Sequence, residues 1–465
     1  MVFSSLTFLF FFLPLTLILY YLSPKGAKNS ILLLLSIIFY AWGEPVYIIL
    51  ILFSTITDYF FGRAIAYYRN RNKRIARLFL IGSVVVSLGI LSFFKYADFI
   101  VDNLNSILQT NISPLELPLP IGISFYTFQS LSYIIDLYRG RVKVQRNLIH
   151  LMMYITLFPQ LIAGPIVRYQ TIEEQIGERK WDTKQFASGV RIFTLGLAKK
   201  VLLANNIGLL WDVISAEQGE ISMMTAWLGL VSFGLQIYFD FSGYSSMAIG
   251  LGKMFGFDFP ENFKHPYIAR SVSEFWRRWH ITLGQWFRDY VYFPLGGSRV
   301  KPWKIYRNLL IVWFLTGLWH GASWNYVFWG MYFGFLIALE RAFLQKYLDK
   351  LPAVFSHIYL LLIVLMSWVL FAHEDLDEMK QYIKAMFIPG EGQFYDSFFL
   401  YYMSSFSLVL LVCLLAATPI FRFIWGRIPH RIKPVLSLVA MGGILLISTA
   451  YLVDESFNPF IYFRF

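Results

Sequence analysis

The sequence has few charged residues and almost no cysteine. Of its 465 residues, 15% are charged and 57% are hydrophobic, whereas an ordinary soluble domain carries about 25% charged residues. The single cysteine, Cys413, lies in an apolar run, which excludes an intrachain disulfide and a cysteine-based metal site. Apolar runs of about 20 residues recur along the chain, as in polytopic helical membrane proteins. A soluble globular protein is therefore excluded.

The chain also has no acidic excess and no internal repeat, and we expect no cleavable signal sequence. Its 40 lysines and arginines outnumber its 28 aspartates and glutamates. The basic residues fall in the loops between apolar runs, which indicates positive-inside membrane topology and argues against nucleic-acid binding. The loop at 62–77, which has the strongest basic cluster, is predicted to be cytoplasmic. No basic residue precedes the first apolar run, so we interpret that run as a membrane helix and not as a signal peptide.

The apolar runs predict an all-α polytopic integral membrane protein. We expect about 11–13 membrane helices with short re-entrant or interfacial helices between them, all within a single domain over residues 1–465. The run at 148–166 contains two prolines and a glycine, which predicts a broken helix. The segment 97–112 is expected to lie along the outer interface. The predicted runs are 5–22, 30–43, 45–61, 76–95, 119–138, 148–166, 188–214, 222–251, 305–324, 326–345, 354–372, 398–418 and 434–453.

The segment 263–332 contains the residues that could perform chemistry. Its second half reads LTGLWHGASW and places one histidine, His320, in an apolar run. Ionisable groups inside membrane helices tend to be functional, and a neutral imidazole can accept a proton from a hydroxyl, as acyl transfer to an alcohol requires. Gly317 and Gly321 leave room for a ligand or another backbone, and Trp319 and Trp324 could form walls. The alternative is a buried histidine that bonds to a neighbouring helix.

The first half of this segment reads EFWRRWHITLGQWFRDY and places His280 among arginines. One interpretation is a second imidazole that orients a substrate or stabilises an oxyanion; the other is an interface histidine. Glu274 and Arg278 are spaced to form a local ion pair. The arginines could bind a phosphorylated acyl donor or simply anchor the chain on the cytoplasmic side. Candidate donor- or acyl-binding residues are Trp276, Arg277, Arg278, Arg288, Asp289, Trp319, Asp240 and Tyr244.

A further polar group lies in the apolar run QIYFDFSGYSSMAIG. A carboxylate at membrane depth needs a partner, so we expect Asp240 to pair with an arginine or a tyrosine hydroxyl, by default as a structural pair. The remaining histidines do not form a metal-ligand pattern. We therefore predict no metal and no bound cofactor.

With these residues in view, the chain resembles the membrane-bound O-acyltransferase family, and within it the integral-membrane subunits of bacterial alginate O-acetylation. The matching stretches, in chain order, are LPIGISFYTFQSLSYIIDLYRG, LFPQLIAGPIVRY, QIYFDFSGYSSMAIG, NFKHPYIARSVSEFWRRWHITLGQWFRDYVYFPLGG, GLWHGASWNYVFWG and NPFIYFRF.

This resemblance implies helices arranged around a central tunnel, with His320 catalytic and His280 a second important polar residue. It also implies acetyl-CoA as donor, an exported partner of the SGNH-hydrolase type, a cell-envelope polysaccharide as acceptor, and the bacterial cytoplasmic membrane as location. Three alternatives remain open at this point, and one of them is a lipid or protein acyltransferase of the same family. A transporter or flippase of an acylated or lipid-linked intermediate would also need buried polar groups and broken helices, and teichoic-acid D-alanylation uses a similar membrane protein.

Overall fold

The computed structural model describes residues 1–179, 182–217, 221–388, 394–454 and 460. All regular structure in these ranges is helical, which confirms the prediction of an all-α chain. Most of the terminal motif NPFIYFRF lies outside the described residues. Two compact units can be separated by their contacts, one of residues 1–193 with 245–261 and the other of 194–244 with 262–465. The single domain over 1–465 stays a prediction.

The first unit is built from long apolar helices and one broken helix. Aromatic rings of Phe8, Phe12, Phe39 and Phe158 pack against one another in its core. Its helices are Phe8–Phe12 (π), Leu13–Leu22, Lys25–Ala27 (3-10), Lys28–Ala41, Ile48–Tyr68, Lys73–Leu108, Ile123–Arg139, Leu148–Thr156, Phe158–Leu161 and Tyr169–Gly177. Thr183–Ala198 and Met223–Met254 each contribute residues to both units.

The break predicted in the run 148–166 is present. One helix ends at Thr156 and a short one begins at Phe158. Protein groups bond the polar groups around the break: the Phe158 N–H donates to Ser36 Oγ (3.1 Å) and the Gln160 amide donates to the Tyr154 carbonyl (2.6 Å). Broken backbone at membrane depth is tolerated when protein supplies such partners.

The second unit contains the remaining helices and the short elements of the segment 263–332. A hairpin of two long helices, Pro302–His320 and Trp324–Leu339, is its central feature. The others are Lys199–Asn205 (π), Asn206–Ser215, Pro266–Ile268 (3-10), Val272–Trp276, Ile281–Phe287, Arg288–Tyr292 (π), Glu340–Leu344 (π), Gln345–Leu348, Ala353–Ala372, Leu376–Phe387, Ser397–Ser405, Ser407–Ala416, Ile420–Arg427 and Lys433–Asp454. The charged first half of the segment forms only short helices.

Fewer helices than predicted are long and apolar enough to cross a membrane alone. Within the described ranges there are five: Ile48–Tyr68, Lys73–Leu108, Trp324–Leu348, Ala353–Ala372 and Lys433–Asp454. A sixth would be the pair Ser397–Ser405 and Ser407–Ala416, bent by 62°. The other apolar runs form helices that do not meet the conditions of length and apolar character together, so the figure of 11–13 spans is not reached by this criterion. The chain is nevertheless an all-α, multi-pass membrane protein.

The segment 97–112, which we expect along the outer interface, is for most of its length the end of a long helix. Residues 97–108 continue the helix Lys73–Leu108, which has 36 residues. At 1.5 Å per residue this helix is about 54 Å long, well beyond the roughly 30 Å of a bilayer's hydrocarbon core. Asn72 starts it by accepting hydrogen bonds from the backbone N–H groups of Arg74 and Ile75. The polar residues of 97–108 occupy one face of a continuous helix.

Candidate functional site

His320 is the last residue of the first helix in the central hairpin. The chain becomes extended at Gly321, which ends the helix, and the second helix begins after Ser323, also extended. The tight turn between the two helices therefore starts directly after the imidazole. His320 is 2% exposed, so a charged form would have to leave its hydration shell. Such a burial favours the neutral imidazole that a general base requires.

The glycines beside His320 allow the two helices of the hairpin to touch. A Cβ at Gly317 would lie 2.4 Å from the Tyr326 carbonyl oxygen, and one at Gly321 would lie 2.1 Å from the Tyr326 ring. Similarly, a Cβ at Gly330 would lie 2.4 Å from the Trp313 carbonyl oxygen. These distances are far below a normal van der Waals contact. The neighbouring helix of the hairpin therefore fills the space beside Gly317 and Gly321. Of the two predicted uses of these glycines, room for a ligand or room for another backbone, the structure shows the close approach of another part of the chain.

Aromatic side chains surround the His320 ring. The ring of Trp329 meets it edge-on with centroids 4.7 Å apart, and Phe371 lies 5.7 Å away. Trp319, the preceding residue, contacts it at 5.0 Å. Trp324, the other wall predicted from the sequence, is 49% exposed and packs on Phe328; that prediction is wrong. The turn places Trp324 at the outer start of its helix, and Trp329 takes the inner position.

His280 adopts an unusual backbone conformation at the start of the helix Ile281–Phe287. Its φ and ψ are 42° and 53°, the left-handed region that few residues other than glycine enter. Strained backbone of this kind clusters at functional sites. The side chain is 1% exposed, and its Nδ1 lies 3.2 Å from the Asn262 side-chain oxygen. An oxygen acceptor there requires a proton on Nδ1, so the lone pair of the neutral ring is on Nε2.

The environment keeps His280 neutral. Asn262 Oδ1 also accepts hydrogen bonds from the Thr282 hydroxyl (2.8 Å) and N–H (3.2 Å), which fixes the amide oxygen facing His280. Burial lowers the pKa of His280 to about 3. The interpretation as an interface histidine is therefore not supported, because an interface residue would keep contact with water.

An indole lies between the two imidazoles. The ring of Trp319 is 5.8 Å from that of His280 and 5.0 Å from that of His320. On its other side His280 meets Phe241 at 4.8 Å, edge to face. The two histidines predicted to act together are thus 40 residues apart in the chain and share one aromatic neighbour.

Trp276 packs against the aromatic rings around His320, whereas the neighbouring charged residues Glu274 and Arg278 pair with each other. Its ring contacts Trp329 at 5.6 Å and Trp313 at 4.7 Å. The predicted local pair is confirmed: Arg278 lies 2.8 Å from Glu274. Although partial burial raises it, hydrogen bonds from the Arg270 N–H and from Arg278 hold the pKa of Glu274 below its usual value.

The candidate phosphate-binding arginines lie at the outside of the unit. Arg277 and Arg288 are exposed, and Arg278 is partly exposed. Arg288 donates from Nε to Asp289 at 2.8 Å, and Arg278 donates to the Lys264 carbonyl as well as to Glu274. Exposed guanidinium groups can reach phosphate in solution.

Asp240 is paired with a lysine, a partner that the sequence did not suggest. Lys200 Nζ lies 2.7 Å from Asp240 Oδ1, and their side chains are 5% and 1% exposed. Lys200 belongs to the π-helix Lys199–Asn205. It lies within the predicted apolar run 188–214, where the sequence analysis did not single it out. The default interpretation as a buried pair is confirmed, with a different cation. Tyr244, one turn further along, stacks on Phe460 at 4.9 Å.

Several residues of this site were not predicted from the sequence. Trp329 and Phe371 contact His320, Asn262 fixes His280, and Phe241 packs on His280. Another is Glu340, a carboxylate inside the apolar run 326–345. Its presence in that run was a weak signal, since a carboxylate at membrane depth needs partners but Arg341 follows it directly. The aromatic residues gave no such signal, because aromatics are abundant throughout this chain.

This arrangement suits proton transfer in an apolar environment. Two buried imidazoles are separated by one indole and walled by further rings, which exclude water and strengthen local electrostatic interactions. In the part of the chain that the structure describes, no group of three or more histidine, cysteine, aspartate or glutamate side chains could hold a metal ion. Imidazole groups can act as acid–base or nucleophilic catalysts.

Comparison with known proteins relates the chain to acyltransferases. The model of "MBOAT, membrane-bound O-acyltransferase family" matches residues 141–373. The chain is 44% identical over 400 residues to the probable alginate O-acetylase of Azotobacter vinelandii, which covers 85% of this chain and 80% of that protein. It is 41% identical over 497 residues to the one of Pseudomonas putida, with 100% of both chains covered. It is 34% identical over 421 residues to the peptidoglycan O-acetyltransferase of Helicobacter pylori, with 83% and 80% covered. The matched range contains both histidines.

Proposed function

Because the chain belongs to the membrane-bound O-acyltransferase family, we propose that this enzyme moves acetyl groups from cytoplasmic acetyl-CoA across the bacterial cytoplasmic membrane for O-acetylation of an exported polysaccharide. The related proteins act, by their names, on alginate and on peptidoglycan, and both are glycans outside the cytoplasm. The observation that carries the catalytic part is the buried His320, which the aromatic group connects to a second buried histidine.

In the proposed reaction His320 acts as a general base. One imidazole nitrogen takes the proton of an acceptor hydroxyl while the hydroxyl oxygen attacks the acetyl thioester carbonyl. The C–O bond forms, the C–S bond breaks, and the coenzyme leaves as a thiolate that takes up the proton from the imidazolium. The imidazole has to be neutral before the reaction in order to accept this proton. In the alternative route the imidazole nitrogen attacks first and holds the acetyl group transiently.

The tautomer of His280 favours an orienting role. Its Nδ1 proton is bonded to Asn262, so Nε2 can accept a hydrogen bond and cannot donate one while the ring is neutral. An oxyanion needs a donor, so the oxyanion-stabilising role considered above is not favoured. We propose instead that His280 orients the donor, with Nε2 accepting a hydrogen bond from one of its N–H groups.

The donor's phosphates would be bound at the exposed arginines, and the acetyl group would pass to an exported partner of the SGNH-hydrolase type. Arg277 and Arg288 can present their guanidinium groups to phosphate without breaking a buried contact. Family membership favours acyl transfer over the transporter or flippase. Teichoic-acid D-alanylation stays a second outcome of the test, because it would use the same base with a different acyl group.

The experiment is transfer of radiolabelled acetyl from acetyl-CoA in membranes that contain the full-length protein, its exported partner and cell-envelope polymer. We expect label in the polymer with the wild type and none above background with His320→Ala. His430→Ala is the matched control, since His430 is exposed in a loop, and it should transfer label like the wild type.

Three results would change the proposal. Equal labelling with wild type and His320→Ala would overturn the catalytic assignment. Labelling from D-alanine but not from acetyl-CoA would identify the D-alanylation alternative. Label that stays on the protein after rapid acid quench, in wild type but not in His320→Ala, would replace the general-base route with the acyl-carrier route.

A further inference from the structure

Glu340 is a buried carboxylate with four hydrogen-bond donors around it. It is 1% exposed and begins the π-helix Glu340–Leu344, directly after the hairpin helix Trp324–Leu339. Its Oε1 accepts from the Val272 N–H at 2.6 Å and from the Tyr359 hydroxyl at 3.2 Å. Its Oε2 accepts from Ser273 twice, from the N–H at 2.8 Å and from the hydroxyl at 2.6 Å.

No basic side chain of the described residues forms an ion pair with this carboxylate. A buried carboxylate without partners would be very costly, and here backbone N–H groups and hydroxyls solvate it in place of a cation. Hydrogen bonds to a charged group are about twice as strong as neutral ones. Because two of the donors are consecutive backbone N–H groups, Glu340 fixes the backbone at 272–273 and not only a side chain.

The segment that Glu340 holds carries one face of the candidate site. Val272 and Ser273 are the first residues of the helix Val272–Trp276. At the end of this helix, Trp276 contacts Trp329 at 5.6 Å, and Trp329 contacts His320 at 4.7 Å.

The same segment leads to His280. Phe275 stacks on Trp279 at 5.6 Å, and Trp279 immediately precedes His280 in the chain. A second anchor supports this arrangement, since His357 lies 2.9 Å from the Ala269 carbonyl through Nδ1, which must donate there. His357 and Tyr359 both belong to the helix Ala353–Ala372.

We propose that Glu340 is a positioning residue for acyl transfer: its carboxylate binds the 272–273 backbone and thereby sets the position of Trp276 and His280 relative to His320. This inference rests on the proposed function and adds a residue for which the sequence suggested no role. Glu340 does not touch the reacting atoms. Its charge is used to hold a short helix that has too few internal hydrogen bonds to hold itself.

The test is a double-mutant cycle on the full-length protein in membranes, with rates of acetyl transfer measured over a range of acetyl-CoA concentrations. Glu340→Gln keeps the shape but directs an amide N–H₂ toward N–H donors, so we expect kcat to fall at least about tenfold, as misplaced catalytic groups do. The KM for acetyl-CoA should stay within about twofold, because ground-state binding is unchanged. Ser273→Ala should lower kcat by a smaller factor.

The double variant separates positioning from general stabilisation. If Glu340 acts through Ser273, the double variant should have about the same kcat as Glu340→Gln alone, because coupled residues are non-additive. Multiplied effects, or a kcat for Glu340→Gln within about twofold of the wild type, would overturn the inference. Asp377→Asn is the control, since Asp377 is a surface carboxylate with 80% of its side chain exposed, and it should not change kcat.

Protein folding and the proposed function are checked in the same series. The size-exclusion profile and the thermal midpoint show whether Glu340→Gln inserts and folds. If it does not, Glu340→Asp takes its place in the cycle, because aspartate keeps the charge on a shorter side chain. The same criteria for kcat and KM then apply. His320→Ala reports on the reaction itself. Transfer that survives in His320→Ala means that the proposed function has failed; transfer that is lost there but normal in Glu340→Gln means that only the positioning role has failed.

Discussion

The buried pair of Lys200 and Asp240 should be strongly destabilising when broken and nearly neutral when removed as a whole. With an N–O distance of 2.7 Å, Coulomb's law at an effective dielectric constant of about 20 gives an attraction of about 6 kcal/mol. Desolvation of the two charges, several kcal/mol each, offsets most of it. The pair contributes little net stability, yet removing one residue would leave the other charge buried without its counter-ion.

We therefore expect Lys200→Met or Asp240→Asn to lower the free energy of unfolding by about 3–5 kcal/mol. The double variant should recover more than half of that loss. Thermal midpoints in detergent, read by size-exclusion fluorescence, would show single variants lowered by several degrees and the double variant closer to wild type.

The surface pair of Lys380 and Asp377 is the matched control. Its side chains are 68% and 80% exposed, so Lys380→Met should change stability by less than about 1 kcal/mol. Two results would refute the reasoning: single variants at positions 200 and 240 with wild-type midpoints, or a double variant whose loss equals the sum of the single losses. The first would mean that water reaches the pair, and the second that the two charges do not interact.

Two further predictions concern the site. Gly321→Ala should place a methyl group against the Tyr326 ring and lower the free energy of unfolding by about 1–3 kcal/mol, as overpacking does. The control Gly442→Ala has no atom within 4 Å of the new methyl group and should be neutral or slightly stabilising. Equal thermal midpoints for the two variants would contradict the close packing at Gly321. The pKa of His280 is about 3 in the folded state and about 6.5 in the unfolded state. Between these pH values the unfolded state therefore binds more protons than the folded state. The free energy of unfolding should fall as the pH falls, by at most about 1.4 kcal/mol per pH unit. His280→Gln should show a shallower fall between pH 6 and pH 4, and parallel curves for the two proteins would contradict the burial of the imidazole.

The family and the central residues could be predicted from the sequence because they depend on local pattern. Apolar runs, the prolines of the broken helix and the spacing of Glu274 and Arg278 act within a few residues of chain. His320 was identifiable since a single ionisable group in an apolar run is unusual wherever it occurs. The same rule does not select Glu340, because Arg341 follows it in the same run.

The tertiary structure alone decided which groups meet. Asp240 pairs with Lys200, and no local pattern indicated a lysine in place of an arginine, since the two residues lie on different helices. Trp329, not Trp324, faces His320 because the turn after Gly321 determines which side of the next helix points inward. Composition and periodicity determine that a helix forms and how apolar it is. The packing of whole helices determines which residues distant in sequence become partners. An unpaired charge or a missing contact destabilises the fold only when it is buried, and burial occurs only after the helices have packed together.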